Sequence, residues 1–224
     1  MLTTPRQSAI VAVIAALPDF DQLLALSGKH IDLCELRIDR LYGSSANLEA
    51  LSAKIHIPKI ATVRDRSEGG ANELPAATRL ELFERWLPHC NLVDIELSNL
   101  SRFSAFIEQA ESEGKEIIFS FHDFEKTPSL EVLQGMLDHC RLRQNQIFKV
   151  ATNVEHWSDV ETLVRLIERN PEARVAAMGM GKFGKLSRLV LARLGSCLTY
   201  GSIGESVVPG QWPVSELARL LSEL

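Results

Sequence analysis

Eight strand-like segments alternate with helix-like segments along this chain, and this alternation limits the fold more than any other feature. Each strand-like segment is short and mostly apolar, and a stretch with helical periodicity follows it. Strands that are separated by helices form parallel sheets with both faces covered. We predict the strands at residues 9–16, 32–39, 59–64, 92–98, 116–122, 146–152, 174–180 and 198–203.

The helical stretches are recognised by apolar residues at positions i, i+3, i+4 and i+7. Phe103 and Val160 each open such a stripe, and Ser158 to Glu161 has the pattern of a capping box. No composition break or long linker divides the chain, so residues 1–224 are predicted to form a single domain. Eight βα units in one domain predict an α/β fold of the (β/α)8 TIM barrel type. A doubly wound open sheet is the alternative.

Charged side chains recur at alternate positions of several predicted strands. Glu35 and Arg37 follow this pattern in the second segment, and Asp94 and Glu96 follow it in the fourth. Charges inside a covered sheet cost free energy unless they face a polar cavity. Barrel enzymes have their catalytic groups at the C-terminal ends of the strands. We therefore predict one cavity there, lined by the late-strand residues Glu35, Arg37, Arg64, Glu96, His122 and Lys149.

Lys149 and His122 close neighbouring predicted strands, so their Cα atoms could lie about 5 Å apart, or somewhat farther if the strands are staggered. An unprotonated lysine amine attacks a ketone to form an imine, and nearby positive charge from Arg37 or Arg64 would favour that state. The imine makes the neighbouring C–H bond acidic, and histidine is the side chain best suited to remove such a proton. The pair predicts imine-assisted elimination or carbon–carbon cleavage.

A structural role is the alternative for each of these residues. Lys149 could instead neutralise a buried Asp94 or Glu96, and Glu35 with Arg37 could form an ion pair between strands. Buried ion pairs are not reliably stabilising, which weakens this second explanation.

The segment 179–184 matches the glycine fingerprint of dinucleotide-binding units, because it follows a strand and opens a helix. That fingerprint normally opens a nucleotide-binding unit, whereas only one predicted strand follows it here. A site for a carboxylate or a phosphate is the other interpretation, and Arg188 lies one turn into the predicted helix.

Composition and charge exclude several classes of function. The net charge of −5 gives no basic surface for nucleic acid. The apolar stretch 9–17 is too short to span a membrane, and it lacks the pattern of a signal peptide. The four cysteines are widely spaced, with no paired metal-ligand spacing. We expect a reduced, cytoplasmic protein.

Together these motifs resemble those of type I 3-dehydroquinate dehydratases, from residue 9 to residue 211. The resemblance lies in seven segments in the same order, namely Glu-Leu-Arg-Ile-Asp at 35–39, Thr-Val-Arg at 62–64 with Glu-Gly-Gly at 68–70, Ser-Phe-His-Asp-Phe at 120–124, Phe-Lys-Val-Ala at 148–151, Met-Gly-Met-Gly-Lys at 178–182, Ser-Arg at 187–188 and Pro-Gly-Gln at 209–211.

The resemblance implies dehydration of 3-dehydroquinate to 3-dehydroshikimate in the shikimate pathway. Lys149 would form a Schiff base with the C3 ketone, and His122 would remove the C2 proton and assist loss of the C1 hydroxyl. Glu68 would position His122. The resemblance also implies a homodimer that uses neither a metal nor another cofactor. The implied substrate-binding residues are Arg188 and Gln211 for the carboxylate, and Glu35, Arg37 and Arg64 for the ring hydroxyls.

One position departs from the family pattern. The loop that closes over the substrate usually has a serine two residues before the Pro-Gly-Gln motif, and this chain has Val207 there. We expect one hydrogen bond from the loop to be absent, which costs on the order of 1 kcal/mol. Two other functions remain open. One is an imine-forming aldolase that binds a sugar phosphate near residues 179–184, and the other is a non-catalytic binding protein that kept the pocket.

Overall fold

The predicted strands are all present, with their ends within two residues of the predicted ones. The computed structural model describes residues 8–26, 30–44, 46–206 and 208–224. The strands are β1 (Ala9–Ile14), β2 (Leu33–Arg37), β3 (Lys59–Thr62), β4 (Leu92–Glu96), β5 (Glu116–Asp123), β6 (Gln146–Asn153), β7 (Val175–Met180) and β8 (Leu198–Ser202), followed by the short, unpredicted β9 (Trp212–Pro213).

The strands form one parallel sheet in the order β7-β6-β5-β4-β3-β2-β1-β8-β9. Each strand from β1 to β6 pairs with the next along the chain, and β8 returns to pair with β1. This order is that of a barrel and not of a doubly wound sheet, in which the strand order reverses at an inner strand. The prediction of a TIM barrel is confirmed, and the open sheet is rejected.

The gap between β7 and β8 is bridged mainly by a side chain. The Cys197 amide donates to the Val175 carbonyl at 2.8 Å. Ser196 Oγ accepts from the Ala177 amide at 3.0 Å and lies 2.9 Å from the Leu198 carbonyl oxygen, to which it can donate. Farther along β8, the two residues of β9 pair with Gly201 and Ser202. One backbone hydrogen bond and the Ser196 hydroxyl therefore complete the ring, whereas β9 extends the sheet beyond β8.

The helices surround the sheet, and their apolar stripes form the outer core. Phe106 and Ala110 are buried on α5, as are Val160 and Leu163 on α7. None of the described helices is long and apolar enough to cross a membrane. The helices are α1 (Pro18–Ala25), α2 (Ile38–Leu41), α3 (Leu48–Ala53), α4 (Ala76–Trp86), α5 (Ser104–Ser112), α6 (Leu130–Cys140), α7 (Trp157–Arg169), α8 (Gly184–Arg193) and α9 (Val214–Glu223).

The predicted capping box at the start of α7 was misplaced by two residues. The N-cap is His156, whose backbone N–H donates to Asp159 Oδ2 at 2.9 Å. Histidine is not a usual N-cap residue, so the sequence pattern favoured Ser158 instead.

The even-numbered strands supply layers of side chains to the barrel interior, as alternate strands of such barrels do. The lowest of these layers is apolar and contains Leu33, Leu92, Ile147 and Leu198. Two residues farther along each strand, the next layer contains Glu35, Asp94, Lys149 and Tyr200, all of them buried. We call this second group the polar layer. It forms the floor below the C-terminal ends of the strands.

Candidate active site

One cavity at the C-terminal ends of the strands contains every residue predicted to bind substrate or to act in catalysis. Its empty volume, counted out to the solvent, is about 480 Å³. Met178, Met180 and Phe124 add apolar surface to its wall. The predicted residues that line it are Glu35, Arg37, Arg64, Glu68, His122, Lys149, Arg188 and Gln211.

Lys149 lies in the middle of β6, within the polar layer. Its Nζ is 2.8 Å from Asp94 Oδ2 and 3.5 Å from Glu35 Oε1. On another side, Nζ is 4.2 Å from the centre of the Tyr200 ring. The alternative in which Lys149 neutralises a buried carboxylate is therefore partly correct, because the amine does pair with Asp94. The amine also faces the cavity, so the pairing does not exclude a reaction there.

Asp94 joins Lys149 to a second buried cation. Its Oδ1 accepts hydrogen bonds from Arg64 at 2.8 Å and from the Ser120 hydroxyl at 2.6 Å. Burial disfavours the ionised carboxylate, but the charges of Arg64 and Lys149 outweigh burial and lower the pKa of Asp94. Asp94 is thus a stable anion between two cations.

Glu96 was predicted to line the cavity, but it is fully buried behind the cavity wall and anchors the same network to the surrounding helices. It accepts from Arg64 at 3.2 Å through Oε1 and from Arg79 of α4 at 2.5 Å through Oε2. Arg79 is almost fully buried and also donates to the Val63 carbonyl at 2.9 Å and to Asp65 at 2.8 Å. An outer helix therefore fixes the end of β3 and the loop that follows it.

His122 is held by Glu68, which lies in a short 3-10 helix after β3. Glu68 Oε2 is 3.0 Å from His122 Nδ1 and accepts the His122 backbone N–H at 3.1 Å. Burial, together with the charges of Arg64 and Lys149, lowers the pKa of His122 well below its ordinary value. Burial also raises the pKa of Glu68 to about 7. His122 is thus a neutral base whose Nε2 remains available.

His122 and Lys149 lie on neighbouring strands and are staggered, which is the more distant of the two predicted arrangements. Lys149 is opposite Ser120 in the β5–β6 ladder, and His122 is opposite Ala151. Both strands continue past the predicted catalytic residues, so His122 lies one two-residue step above Lys149 on the same inner face. If a substrate carbonyl lies at Lys149, the carbon atoms next to that carbonyl would lie at the level of His122.

Arg188 on α8 is a buried cation that makes its hydrogen bonds to carbonyl groups. It donates to the carbonyls of Gly210 and Tyr200, each at 3.2 Å. Burial lowers the pKa of Arg188 to about 10, which leaves it charged at neutral pH. Within the described part of the chain, no carboxylate lies within ion-pair distance of it. An anion entering the cavity would supply the missing charge.

The loop with Gln211 packs on the start of α8. The Gly181 amide donates to the Pro209 carbonyl at 3.2 Å. A Cβ atom on Gly184 would lie 2.9 Å from the Cα of Gly210, so the two chain segments touch through bare backbone. Gly184 is thus explained by this close approach, whereas Gly181 has a φ of +75° and a Cβ atom there would collide with Asn153 Oδ1. Gln211 is buried beside Arg188 in the cavity wall.

The remaining predicted residues have protein partners already. Arg37 makes a two-pronged ion pair with Asp39, at 2.9 and 2.8 Å. Glu35 accepts from the Thr62 hydroxyl at 2.9 Å. Val207, the departure from the family pattern, lies outside the described residues. In the described chain, no group of three or more His, Cys, Asp or Glu side chains is arranged to hold a metal ion.

Four residues of this site were given no role in the sequence analysis, although two of them, Asp39 and Ser120, lie in its quoted motifs. Ser120 and Asp39 have the same strand parity as the predicted residues and could have been found by extending that pattern. Tyr200 has an apolar ring in an apolar strand and therefore resembles core. Arg79 lies on a helix, and no sequence pattern predicts that its side chain is buried.

Comparison with known proteins identifies relatives along nearly the whole chain. A family model described as type I 3-dehydroquinase matches residues 11–224. The chain is 34% identical over 223 residues to the 3-dehydroquinate dehydratase of Methanococcoides burtonii, covering 96% of this chain and 94% of the relative.

Solved structures agree with this match. The crystal structure of the 3-dehydroquinate dehydratase from Aquifex aeolicus superposes with a TM-score of 0.83 at 30% identity, covering 96% of this chain and 98% of that chain. The 3-dehydroquinate dehydratase from Geobacillus kaustophilus superposes with a TM-score of 0.84 at 26% identity, covering 97% and 91%.

Proposed function

The chain belongs to the type I 3-dehydroquinase family, and from this premise we propose that it dehydrates 3-dehydroquinate through a Schiff base on Lys149 with His122 as general base and acid. The observation that supports this most directly is the polar layer with His122 one step above it. Lys149, Glu35, Glu68 and a neutral His122 line one cavity, and Asp94 pairs with Lys149 in the polar layer. The family assignment favours this reaction over the aldolase and the binding protein.

The first steps form the imine. The Lys149 ammonium must lose a proton before it can attack, and the carboxylates of Asp94 and Glu35 are 2.8 and 3.5 Å away. The amine then adds to the C3 ketone, and the resulting carbinolamine loses its hydroxyl as water to give an iminium ion. The iminium draws electrons from the adjacent C2–H bond.

His122 then moves a proton in two steps. Nδ1 is occupied by Glu68, so Nε2 removes the C2 proton, and the electron pair of that bond forms an enamine. The enamine expels the C1 hydroxyl, which takes the same proton from His122 and leaves as water. Hydrolysis of the conjugated iminium releases 3-dehydroshikimate and returns the Lys149 amine.

The cationic residues orient the substrate. We assign the substrate carboxylate to Arg188 and Gln211, because the buried guanidinium lacks an anionic partner in the described chain. We assign the ring hydroxyls to Glu35 and Arg37, whose side chains line the cavity. Arg64 is engaged by Asp94, Glu96 and Ser120, so we expect it to act on the substrate mainly through its positive charge.

Borohydride trapping tests the proposal. Borohydride reduces an iminium to a stable amine, so the native protein mixed with 3-dehydroquinate should gain a permanent mass on the peptide that contains Lys149. The Lys149→Met protein, checked for native folding by circular dichroism, should gain none. His122→Gln should still trap the adduct while kcat falls by about 10²- to 10⁴-fold. Absence of an adduct in the folded native protein would refute the Schiff base.

Three broader features remain part of the proposal. The cysteine pattern supports a cytoplasmic location, and the resemblance supports a homodimer. The family match over residues 11–224 supports one catalytic domain. Sedimentation analysis of the native protein tests the dimer, and a mass equal to one chain at working concentration would contradict it.

A further inference from the structure

Tyr200 is the member of the polar layer to which the proposed reaction assigns no role. It projects from β8 into the barrel interior, is 3% exposed and lines the same cavity as Lys149. Within the described chain, its hydroxyl is buried without a hydrogen-bond partner. A phenylalanine would fill this space at no cost in hydrogen bonds, so the hydroxyl does not explain the residue. The ring is the part with a defined contact.

That contact is with the nitrogen proposed to react. Lys149 Nζ is 4.2 Å from the centre of the Tyr200 ring, well inside the range of about 6 Å for a cation–π interaction. Burial, with the negative charges of Glu35 and Asp94, raises the pKa of Tyr200 well above its ordinary value. The phenol therefore stays neutral, and the ring face offers the attraction of an uncharged aromatic group.

The chemistry of the nitrogen makes this contact different from the carboxylate contacts. An ammonium has three N–H donors and can bond Asp94 and Glu35 at once. An iminium formed from it has one N–H, so at least one of these hydrogen bonds must be lost when the substrate is attached. A ring face needs no N–H donor, because it attracts the positive charge itself.

We propose that the ring of Tyr200 supports the positively charged nitrogen of Lys149 throughout the reaction, as ammonium in the free protein and as iminium in the intermediate. This inference rests on the proposed Schiff base. The ring also contacts the ammonium, but the ammonium keeps both carboxylate hydrogen bonds if the ring is removed, whereas the iminium can keep only one and so loses a larger share of its support. Weakening the ring should therefore disfavour the iminium selectively.

A graded series of rings at position 200 tests this. Phenylalanine, 3,5-difluorophenylalanine and 3,4,5-trifluorophenylalanine have similar shapes, while fluorine withdraws electron density from the ring face and weakens cation–π attraction. The measurements are kcat and the fraction of Lys149 trapped by borohydride at saturating 3-dehydroquinate. In Tyr200→Phe, kcat and the trapped fraction should stay within about threefold of the native values. Along the fluorinated series the two quantities should fall stepwise, and in the trifluoro protein they should be about five- to tenfold lower than in Tyr200→Phe.

Removing the ring altogether gives a second comparison. Tyr200→Leu should reduce kcat and the trapped fraction by about tenfold or more. Binding of quinate, which has a hydroxyl in place of the ketone and forms no imine, should change by less than about threefold. If the leucine protein does not fold, the fluorinated series still decides the question, because its members are nearly isosteric.

The outcomes separate this inference from the proposed function. A flat fluorinated series in a protein that traps 3-dehydroquinate on Lys149 would overturn the role of the ring and leave the Schiff base intact. Equal losses in Tyr200→Phe and Tyr200→Leu would overturn it as well, because the hydroxyl would then be the important group. Failure of the native protein to trap any adduct would overturn both.

Discussion

Replacing Arg188 with methionine should stabilise the free protein while impairing ligand binding. Arg188 is 2% exposed, and burial lowers its pKa from 12.5 to about 10. A base with a lowered pKa in the folded state destabilises the protein at every pH below that value, and the penalty is relieved only as pH rises through about 10. At pH 7 the full penalty applies, and it corresponds to about 3 kcal/mol.

The substitution also removes favourable contacts. The hydrogen bonds to the carbonyls of Gly210 and Tyr200 are each worth about 1 kcal/mol. Methionine has a similar length and no charge, so we expect a net stabilisation of about 1 kcal/mol, or about 2–4 °C in Tm for a chain of this size. Urea unfolding at pH 7 measures it. Arg193→Met, an exposed change on the same helix, should stay within about 0.5 kcal/mol of the native protein.

Ligand binding should respond in the opposite direction. Quinate presents a carboxylate without a ketone, so its binding reports on the anion contact alone. Loss of charge-assisted hydrogen bonds of about 1.5–3 kcal/mol should weaken its binding roughly ten- to 150-fold, as measured by the rise in Tm with ligand concentration. A loss of more than about 2 kcal/mol in stability, or unchanged quinate binding, would refute the view that Arg188 is an uncompensated cation awaiting a carboxylate.

Two further predictions concern the buried carboxylates. Because the pKa of Glu68 is raised to about 7, its stabilising effect is complete below pH 4.5 and lost as pH rises through 7. The unfolding free energy of the native protein should therefore fall by about 3 kcal/mol over that range relative to Glu68→Gln, and parallel urea-unfolding curves would contradict this. Asp94→Asn should destabilise the protein by about 3–5 kcal/mol because Arg64 and Lys149 lose their shared anion. Adding Lys149→Met should recover at least about 1 kcal/mol, whereas simple additivity in the double-mutant cycle would count against the pairing.

Most of the barrel was predictable because each of its eight main strands is a distinct apolar run followed by a helix. Hydrophobic periodicity determines where such strands lie, but not where their hydrogen bonds end. His122 and Lys149 were therefore predicted on neighbouring strands without a fixed stagger, and the structure shows the stagger, with His122 opposite Ala151 and Lys149 opposite Ser120. The strand β9 has only two residues, one of them proline, and depends on contacts with β8 that no local pattern reveals.

The cavity was predictable to the extent that charge alternates along the strands. Glu35, Arg37 and Lys149 are anomalous in covered strands, and that anomaly led to the site. Arg79 gives no such signal, because an arginine on an amphipathic helix is ordinarily exposed. It is nevertheless buried, with its guanidinium between Asp65 and Glu96. Tertiary structure alone creates that environment.

The way in which β7 and β8 meet has a consequence for how the barrel opens. Elsewhere the ring is joined by continuous backbone ladders, but at this seam the Ala177 amide is held by the hydroxyl of Ser196. Local unfolding begins where backbone hydrogen bonds are fewest. The loop bearing Gln211 covers the upper end of the same seam and is attached to α8 beside Arg188. A ligand bound by both Arg188 and Gln211 would therefore hold β7 and β8 together. It should slow amide hydrogen exchange in these two strands more than on the opposite side of the barrel.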